Sequence, residues 1–265
     1  MGHYFQRELN VPNINWNAED YQAHFGFVPS YGEAVMDLIT AKPGAYVVDL
    51  GCGNGTLSEK LAGRGYEVLG VDDSADMLEL AGKEHPSLSF QKGNAVTFSL
   101  ERKADVIFST AVLHWIDKEQ QQTMLDHLYR QLAPGGELVC EFGGFGCAEQ
   151  VHSKLEQCFE KRGLVYPRVF YFPTIGMYTP MLERAGFRVE YARLFDRPTV
   201  QDGENGLENW IRMFVKVPFA MLDPVMADAI RKETVDGLRN TLYVDGHWIV
   251  DYVRIQFRAV RRRER

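Results

Sequence analysis

The sequence lacks the features that mark several classes of protein. No apolar run approaches the roughly 20 residues of a membrane-spanning helix, and residues 1–6 lack the basic-then-apolar plan of a signal peptide. The four cysteines form no C-x-x-C pair, and the seven histidines show no H-E-x-x-H spacing. We therefore expect a cytoplasmic protein with free thiols and no metal site.

An excess of positive charge is also missing. Lysine and arginine total 29 against 36 aspartates and glutamates, which gives a formal net charge of −7. No strong basic field is available to recruit nucleic acid or anionic lipid, and the basic cluster at 258–265 is interpreted as a solvated tail. We expect a monomer or homodimer whose partner is a small molecule, with no nucleic-acid or membrane partner.

Strand-like and helical stretches alternate along the chain, a pattern that is typical of βαβ units and a parallel sheet. Strands are predicted at 45–50, 67–71, 88–91, 104–109, 137–142 and 187–191, with a further β-rich stretch at 248–260. A helix over about 119–132 is predicted to end at Pro134-Gly135-Gly136.

This order divides a single predicted domain, 1–265, into four parts. Residues 1–40 are an N-terminal helical segment, and 41–145 are the binding core of the sheet. Residues 146–245 are a mixed sheet and helical region over the ligand crevice, and 246–265 are the final strand with its basic tail.

The most informative motif is a glycine loop between a strand and a helix. Asp49 ends the strand, and Gly51-Cys52-Gly53-Asn54-Gly55 follows. Glycines let the backbone turn tightly and let a ligand approach, while the helix N-terminus offers unpaired N–H groups. Asp72 ends the next strand about 20 residues later, where a carboxylate can accept hydrogen bonds from a ribose diol. The motif predicts a nucleoside-containing cofactor.

Two kinds of cofactor are compatible with such a loop. The dinucleotide fingerprint G-x-G-x-x-G is not matched, because the third glycine comes one residue early, and no Tyr-x-x-x-Lys occurs. The anionic Asp49 suits a cationic ligand such as S-adenosylmethionine (SAM) better than a pyrophosphate. An NAD-dependent oxidoreductase and a non-catalytic SAM-binding protein remain as alternatives.

Four motifs in order resemble class I SAM-dependent methyltransferases. They are Val47-Val48-Asp49-Leu50-Gly51-Cys52-Gly53-Asn54-Gly55, Gly70-Val71-Asp72-Asp73-Ser74, Gly93-Asn94-Ala95 and Leu132-Ala133-Pro134-Gly135-Gly136. Trp16-Asn17 with Tyr21 and Phe25, and Ala111-Val112-Leu113-His114-Trp115, are similar to segments of the trans-aconitate methyltransferase group. The resemblance implies a Rossmann-like, doubly wound sheet of seven strands, the last one antiparallel, with N-terminal and C-terminal helical additions.

The resemblance also implies the cofactor contacts. The backbone of Gly51 and Gly53 would face the methionine part of SAM, with Asp49 and the Ala111 carbonyl near its ammonium group. Asp72 would hold the ribose, Asp73 and Met77 would flank the adenine, and Asn94 with Ala95 would read its edge. S-adenosylhomocysteine (SAH) would be the product.

His114 is the candidate catalytic side chain, either as hydrogen-bond donor or as general base, and Tyr21 in the N-terminal segment is a second candidate. The leading hypothesis is O-methylation of a small carboxylic acid, with a phenolic or amine metabolite as the alternative acceptor. Arg168, Arg197 and Arg212 are candidate anchors for an acidic acceptor, although each is more simply interpreted as a surface residue.

Overall fold

A computed structural model describes residues 28–263, with side chains from residue 32 onward. These residues form two compact units. The larger unit comprises residues 28–145, 171–194 and 254–263, and the smaller comprises 146–170 and 195–253. Among the helices of 28–263, none has the length and apolar character needed to cross a membrane.

A seven-stranded sheet forms the centre of the larger unit. Its strands are β1 (Tyr46–Leu50), β2 (Glu67–Asp72), β3 (Ser89–Lys92), β4 (Ala104–Thr110), β5 (Leu132–Gly143), β6 (Phe187–Asp196) and β10 (Val253–Arg261). They lie in the spatial order β3-β2-β1-β4-β5-β10-β6. The pairs from β3 to β5 are parallel, and β10 runs antiparallel to β5. The predicted Rossmann-like α/β fold with an antiparallel last strand is confirmed.

Helices cover both faces of this sheet, because its strands carry apolar side chains on both sides. The helices of the unit are α1 (Val28–Met36), α2 (Thr56–Gly63), α3 (Ala75–Glu84), α4 (Gln121–Gln131) and α6 (Ile175–Arg184). Val35 and Leu61 pack with Val47 on one face. Leu128 and Leu182 pack with Ile107 on the other.

The smaller unit contains further helices and strands of the described residues. Its elements are α5 (Glu149–Glu160), β7 (Thr199–Gln201), α7 (Gly206–Phe214), α8 (Pro224–Leu242), β8 (Tyr243–Val244) and β9 (His247–Val250). The three strands form their own sheet in the order β7-β9-β8. Trp210 of α7 is buried and stacks near Phe214, with 5.5 Å between the ring centroids.

Three boundaries differ from the sequence prediction. Strand β5 begins at Leu132 and includes Pro134-Gly135-Gly136, and its register with β4 is irregular between Ala104 and Val106. The β-rich stretch at 248–260 divides into β9 and β10, which belong to different sheets. Arg258 and Arg261 lie within β10 rather than in a tail, because Arg258 pairs with Glu190 at 2.8 Å and Arg261 donates to the Leu132 carbonyl at 2.7 Å.

Candidate functional site

The glycine loop lies between β1 and α2, at the carboxyl end of the sheet. Gly51, Gly53 and Gly55 all have positive φ, a conformation that side-chain-bearing residues rarely adopt. A Cβ on Gly51 would stand 2.1 Å from Cγ2 of Val112, so this position also needs glycine for close packing. A Cβ on Gly53 would meet only Cε of Met77, at 3.3 Å, and would otherwise fill the open side of the loop.

Asp72 joins the loop to the end of β2. One carboxylate oxygen, Oδ2, accepts from the Gly53 N–H at 2.9 Å, and Oδ1 accepts from the Ser74 N–H at 2.8 Å. Burial raises the pKa of Asp72, and the two N–H donors oppose that rise. Each carboxylate oxygen retains a second lone pair, so the group can accept further hydrogen bonds from a ligand hydroxyl.

Asp49 lies beneath the loop and is 1% exposed. Its Oδ2 accepts from the Ser58 hydroxyl at 2.6 Å, which ties β1 to α2. Burial raises the pKa of Asp49 to about 7, and the Ser58 hydrogen bond partly offsets that effect. A cation placed beside this carboxylate would favour its ionised form.

The ends of β2 and β3 bring together a second pair of predicted residues. Asn94 donates from Nδ2 to Oδ2 of Asp73 at 2.9 Å, and its Oδ1 accepts from the Val96 N–H at 3.0 Å. Ala95 is buried beside them. Met77 is buried on α3, whose N-terminus is capped by the Ser74 hydroxyl. Asp73, Asn94 and Ala95 therefore lie together where β2 and β3 end, and Met77 lies on the helix that follows β2.

After β4 the chain turns at Ala111, whose φ of 59° is unusual for a residue with a side chain. The Ala111 N–H donates to the Glu141 carbonyl at 2.8 Å, and its carbonyl accepts from Nε1 of Trp115 at 3.1 Å. The turn begins the short 3-10 segment Leu113–Trp115, which carries His114.

His114 is 7% exposed and is held on several sides. The Gly143 N–H donates to its Nδ1 at 3.2 Å. Its ring lies 5.4 Å from that of Trp115 and 5.7 Å from that of Phe172, between centroids. Burial, and secondarily the charge of Arg254, lower the pKa of His114 well below its usual value. A neutral ring whose Nδ1 accepts carries its proton on Nε2, so this tautomer donates from Nε2.

Gln121 anchors the His114 segment, although it belongs to none of the sequence motifs. Its Nε2 donates to the carbonyls of Leu113 and Ile116, both at 2.8 Å, and its Oε1 accepts from the Tyr178 hydroxyl at 3.1 Å. The carbonyl of His114 accepts from the Tyr171 N–H at 3.0 Å. Gln121 is the first of the buried residues of α4. A polar residue on this otherwise apolar helix face is the sequence feature that indicates a buried hydrogen-bonding role.

The three arginines proposed as anchors for an acidic acceptor lie in the smaller unit. Arg168 pairs with Glu149 at 2.6 Å and with Glu156 at 3.0 Å. Arg212 pairs with Glu208 and Asp228. The guanidinium of Arg197 lies 5.0 Å from the Phe195 ring centroid. The ion pairs of Arg168 and Arg212 agree with the interpretation of surface residues. Tyr21 lies outside the described residues.

Comparison with known proteins decides the family. The sequence profile described as a methyltransferase domain matches residues 47–136. An uncharacterized methyltransferase of Schizosaccharomyces pombe is 30% identical over 260 residues, which cover 94% of this chain and 99% of the relative. The chain belongs to the class I SAM-dependent methyltransferases. The alternative of an NAD-dependent oxidoreductase is therefore wrong.

Two further similarities each cover only part of the relative. The trans-aconitate 2-methyltransferase of Deinococcus radiodurans is 34% identical over 131 residues, which cover 48% of this methyltransferase and 49% of the relative. The solved Haemonchus contortus phosphoethanolamine N-methyltransferase 2, a complex with phosphomonomethylethanolamine and SAH, has a TM-score of 0.58 and 19% identity. The comparison covers 100% of this chain and 60% of that structure, and it shows the fold alone.

SAM is the cofactor of this methyltransferase, and the described loop fits it. The side of Gly53 that a Cβ would fill is a backbone cradle, and Asp72 has lone pairs for ribose hydroxyls. Met77 lies beside Gly53, and Ala95 is buried next to Asn94. In residues 32–263 no group of three or more His, Cys, Asp or Glu side chains is placed to hold a metal ion.

Proposed function

We propose that this methyltransferase transfers the methyl group of SAM to a carboxylate oxygen of a small organic acid. The observation that carries the proposal is the hydrogen bond from the Gly143 N–H to Nδ1 of His114. This bond leaves Nε2–H as the donor and uses the nitrogen that a general base would need. A carboxylate is ionised near pH 7 and needs only orientation, whereas a phenol or an ammonium has to lose a proton.

The cofactor would be held by the residues that the carboxyl ends of the strands bring together. The backbone of Gly51 and Gly53 would face the methionine part, with Asp49 and the Ala111 carbonyl on the side of its ammonium group. Asp72 would accept from the ribose. Asp73 and Met77 would flank the adenine, and Asn94 and Ala95 would meet its edge. These roles are supported by the contacts of Asp72 with the loop and of Asn94 with Asp73.

The cofactor would supply a methyl carbon activated by the sulfonium: the O–CH3 bond would form as the S–CH3 bond breaks, SAH would leave as a neutral thioether, and a carboxylate acceptor would lose no proton. His114 would donate from Nε2 to one acceptor oxygen and leave the other oxygen directed at that carbon. Trp115 and Phe172 would exclude water beside the imidazole, since both rings lie within 6 Å of it. Orientation and desolvation are therefore the contributions of this chain.

Similarity supports the same acceptor class. Trans-aconitate 2-methyltransferases are named for a carboxylic acid, and the matched stretch covers about half of the chain. The bacterial relatives thus make trans-aconitate the first acid to test.

The experiment incubates the enzyme with SAM labelled on its methyl group and with separate pools of carboxylic acids, phenols and amines. The acid pool contains trans-aconitate. We expect label in the acid pool that mild base releases as methanol, because methyl esters hydrolyse under these conditions. Base-stable label, formed in the phenol or amine pool alone, would contradict the proposal.

A further inference from the structure

Arg254 lies directly opposite Gly143 in the antiparallel pairing of β10 with β5. Residues opposite each other in such a pair project their Cβ atoms to the same face of the sheet, about 5 Å apart. A Cβ built on Gly143 would stand 2.3 Å from Cε1 of Phe172. Arg254 therefore projects to the face on which the Phe172 ring covers Gly143.

His114 belongs to the same local cluster. Gly143 donates its N–H to Nδ1 of His114, and the His114 and Phe172 rings lie 5.7 Å apart between centroids. Arg254 is half-buried, and its positive charge contributes to the lowered pKa of His114. The His114 imidazole and the backbone of Arg254 thus both adjoin Gly143, and all four residues belong to the larger unit.

The next cross-strand pair on this face also contains polar groups. Gln256 lies opposite Glu141 and donates from Nε2 to Oε2 of Glu141 at 2.6 Å. The Tyr191 hydroxyl donates to Oε1 of Gln256 at 3.3 Å. A guanidinium has five N–H donors, so Arg254 can contact neighbouring protein groups and still bind an anion.

Arg258 lies on the same strand and face as Arg254, but its charge has a structural role. Its guanidinium pairs with Glu190 at 2.8 Å and with Glu137 at 3.7 Å, so its charge is used to join strands. The Glu137 carboxylate also accepts from the N–H groups of Thr40 and Ala41. Arg258 is therefore a matched control for the loss of a half-buried arginine from β10.

We propose that Arg254 is the residue that recognises the negative charge of the methyl acceptor, beside the His114 donor. The assignment rests on the proposed carboxylate methylation and adds the residue that selects anions over neutral molecules. Arginine suits this task because its planar fork can bind both oxygens of a carboxylate. Methylation removes the charge that Arg254 binds, so a methyl ester of a monoacid is held more weakly than its substrate and can leave.

The test measures KM and kcat for trans-aconitate, and for the acid of the pool that gives the most base-labile label, in four proteins. They are the wild type, Arg254→Gln, Arg254→Lys and Arg258→Gln. We expect Arg254→Gln to raise the acceptor KM by about 10- to 100-fold, since a lost charged hydrogen bond has that magnitude. Arg254→Lys should recover part of this loss, and Arg258→Gln should leave the KM unchanged. The dissociation constant of SAH and the melting temperature serve as checks of the cofactor site and the fold.

Each contrary result has a distinct meaning. An unchanged acceptor KM in Arg254→Gln would overturn the assignment and leave the carboxylate proposal intact. A loss of SAH affinity in Arg254→Gln, with Arg258→Gln unaffected, would place Arg254 with the cofactor and would also overturn it. The absence of base-labile label from the wild type with every acid would overturn the proposed function and this assignment together.

Discussion

The backbone N–H of Gly143 donates to Nδ1 of His114 at 3.2 Å, across 29 positions of sequence. This hydrogen bond joins the last residue of β5 to the segment that follows β4. It determines which ring nitrogen bears the proton, so the backbone of one strand sets the chemistry of a side chain on a neighbouring segment.

Replacement of His114 should lower turnover without a change in pH dependence. His114→Ala removes one hydrogen bond to a charged acceptor, and we expect kcat/KM for the acid to fall by about 10- to 100-fold. Because burial lowers the pKa of His114 well below its usual value of about 6.5, the ring stays neutral from about pH 6.5 to about pH 8. The ratio of wild-type to variant rates, measured at saturating SAM, should be constant over that range. A ratio that changes with an apparent pKa near 6.5 would show that the ring takes up a proton at its ordinary value and would contradict this expectation.

Gly143→Ala should disturb the acceptor side of the site. The added Cβ would stand 2.3 Å from Cε1 of Phe172, so the ring has to move. We expect the free energy of unfolding to fall by about 1–3 kcal/mol, with lower turnover of the acid and unchanged affinity for SAH. Gly82→Ala in α3 is the control, since its Cβ would meet nothing within 4 Å. Equal turnover by the two variants would exclude this packing role.

Gln121→Leu should destabilise the protein through unsatisfied polar groups. The change removes the Gln121 contacts of the Ile116 carbonyl and the Tyr178 hydroxyl, and it leaves the Leu113 carbonyl with the Ile116 N–H at 3.3 Å. We expect a loss of about 3 kcal/mol in the free energy of unfolding, measured by urea denaturation with an unchanged m-value. The neighbouring exposed Gln120→Leu should change stability by less than about 0.5 kcal/mol. Equal midpoints for both variants would show that the Gln121 contacts do not stabilise the fold.

Asp72→Asn should weaken cofactor binding. Both carboxylate oxygens accept backbone N–H groups. The amide of Asn has a single acceptor oxygen, so its NH2 group would face one of these N–H donors and lose that hydrogen bond. We expect the dissociation constant of SAH, measured by calorimetry, to rise by about tenfold or more. Asp76→Asn, an exposed change in the first turn of α3, is the control and should bind normally. A normal affinity in Asp72→Asn would remove Asp72 from the cofactor site.

Because of Asp49, the free energy of unfolding should fall as pH rises, which is the opposite of the usual effect of a carboxylate. Its pKa is about 7 in the folded chain against 3.8 for the free side chain, so the folded state retains a proton that the unfolded state loses. Stability from this group is therefore full below about pH 4 and is lost as pH rises to about 7, by at most about 4 kcal/mol. Asp49→Asn does not titrate, and the difference in unfolding free energy between wild type and variant should follow this curve. A difference that is independent of pH would show that the Asp49 pKa is not raised.

The sequence predicts which residues meet at the glycine loop better than which residues surround His114. Gly51, Gly53 and Asp72 occupy a local strand-loop-helix unit and the end of the next strand, and parallel strands bring such ends together. Arg254 and Gly143 become neighbours only through the antiparallel register of β10 with β5. No local pattern encodes that register, and the position of Gly143 beside Phe172 depends on tertiary packing.

The boundaries that differ from the sequence prediction also depend on contacts between distant segments. Pro134-Gly135-Gly136 has the composition of a turn, but it lies inside β5 because the irregular register with β4 accommodates it. The basic cluster around Arg258 has the composition of a solvated tail. The order of strands in the sheet places Glu190 beside Arg258, which cannot be read from the local sequence. Local sequence records the propensity of a segment and not the partner that it meets.

The anchoring of the His114 segment has a consequence for how this enzyme can diversify. The carbonyls of Leu113, His114 and Ile116 are bound by Gln121 and the Tyr171 backbone, so the main chain of the segment has anchors besides the side chain at position 114. With the proposed role of His114, an inherited or engineered exchange at that position would alter the preferred nucleophile while these anchors still hold the main chain. The scaffold would then separate the evolution of acceptor choice from the maintenance of the fold.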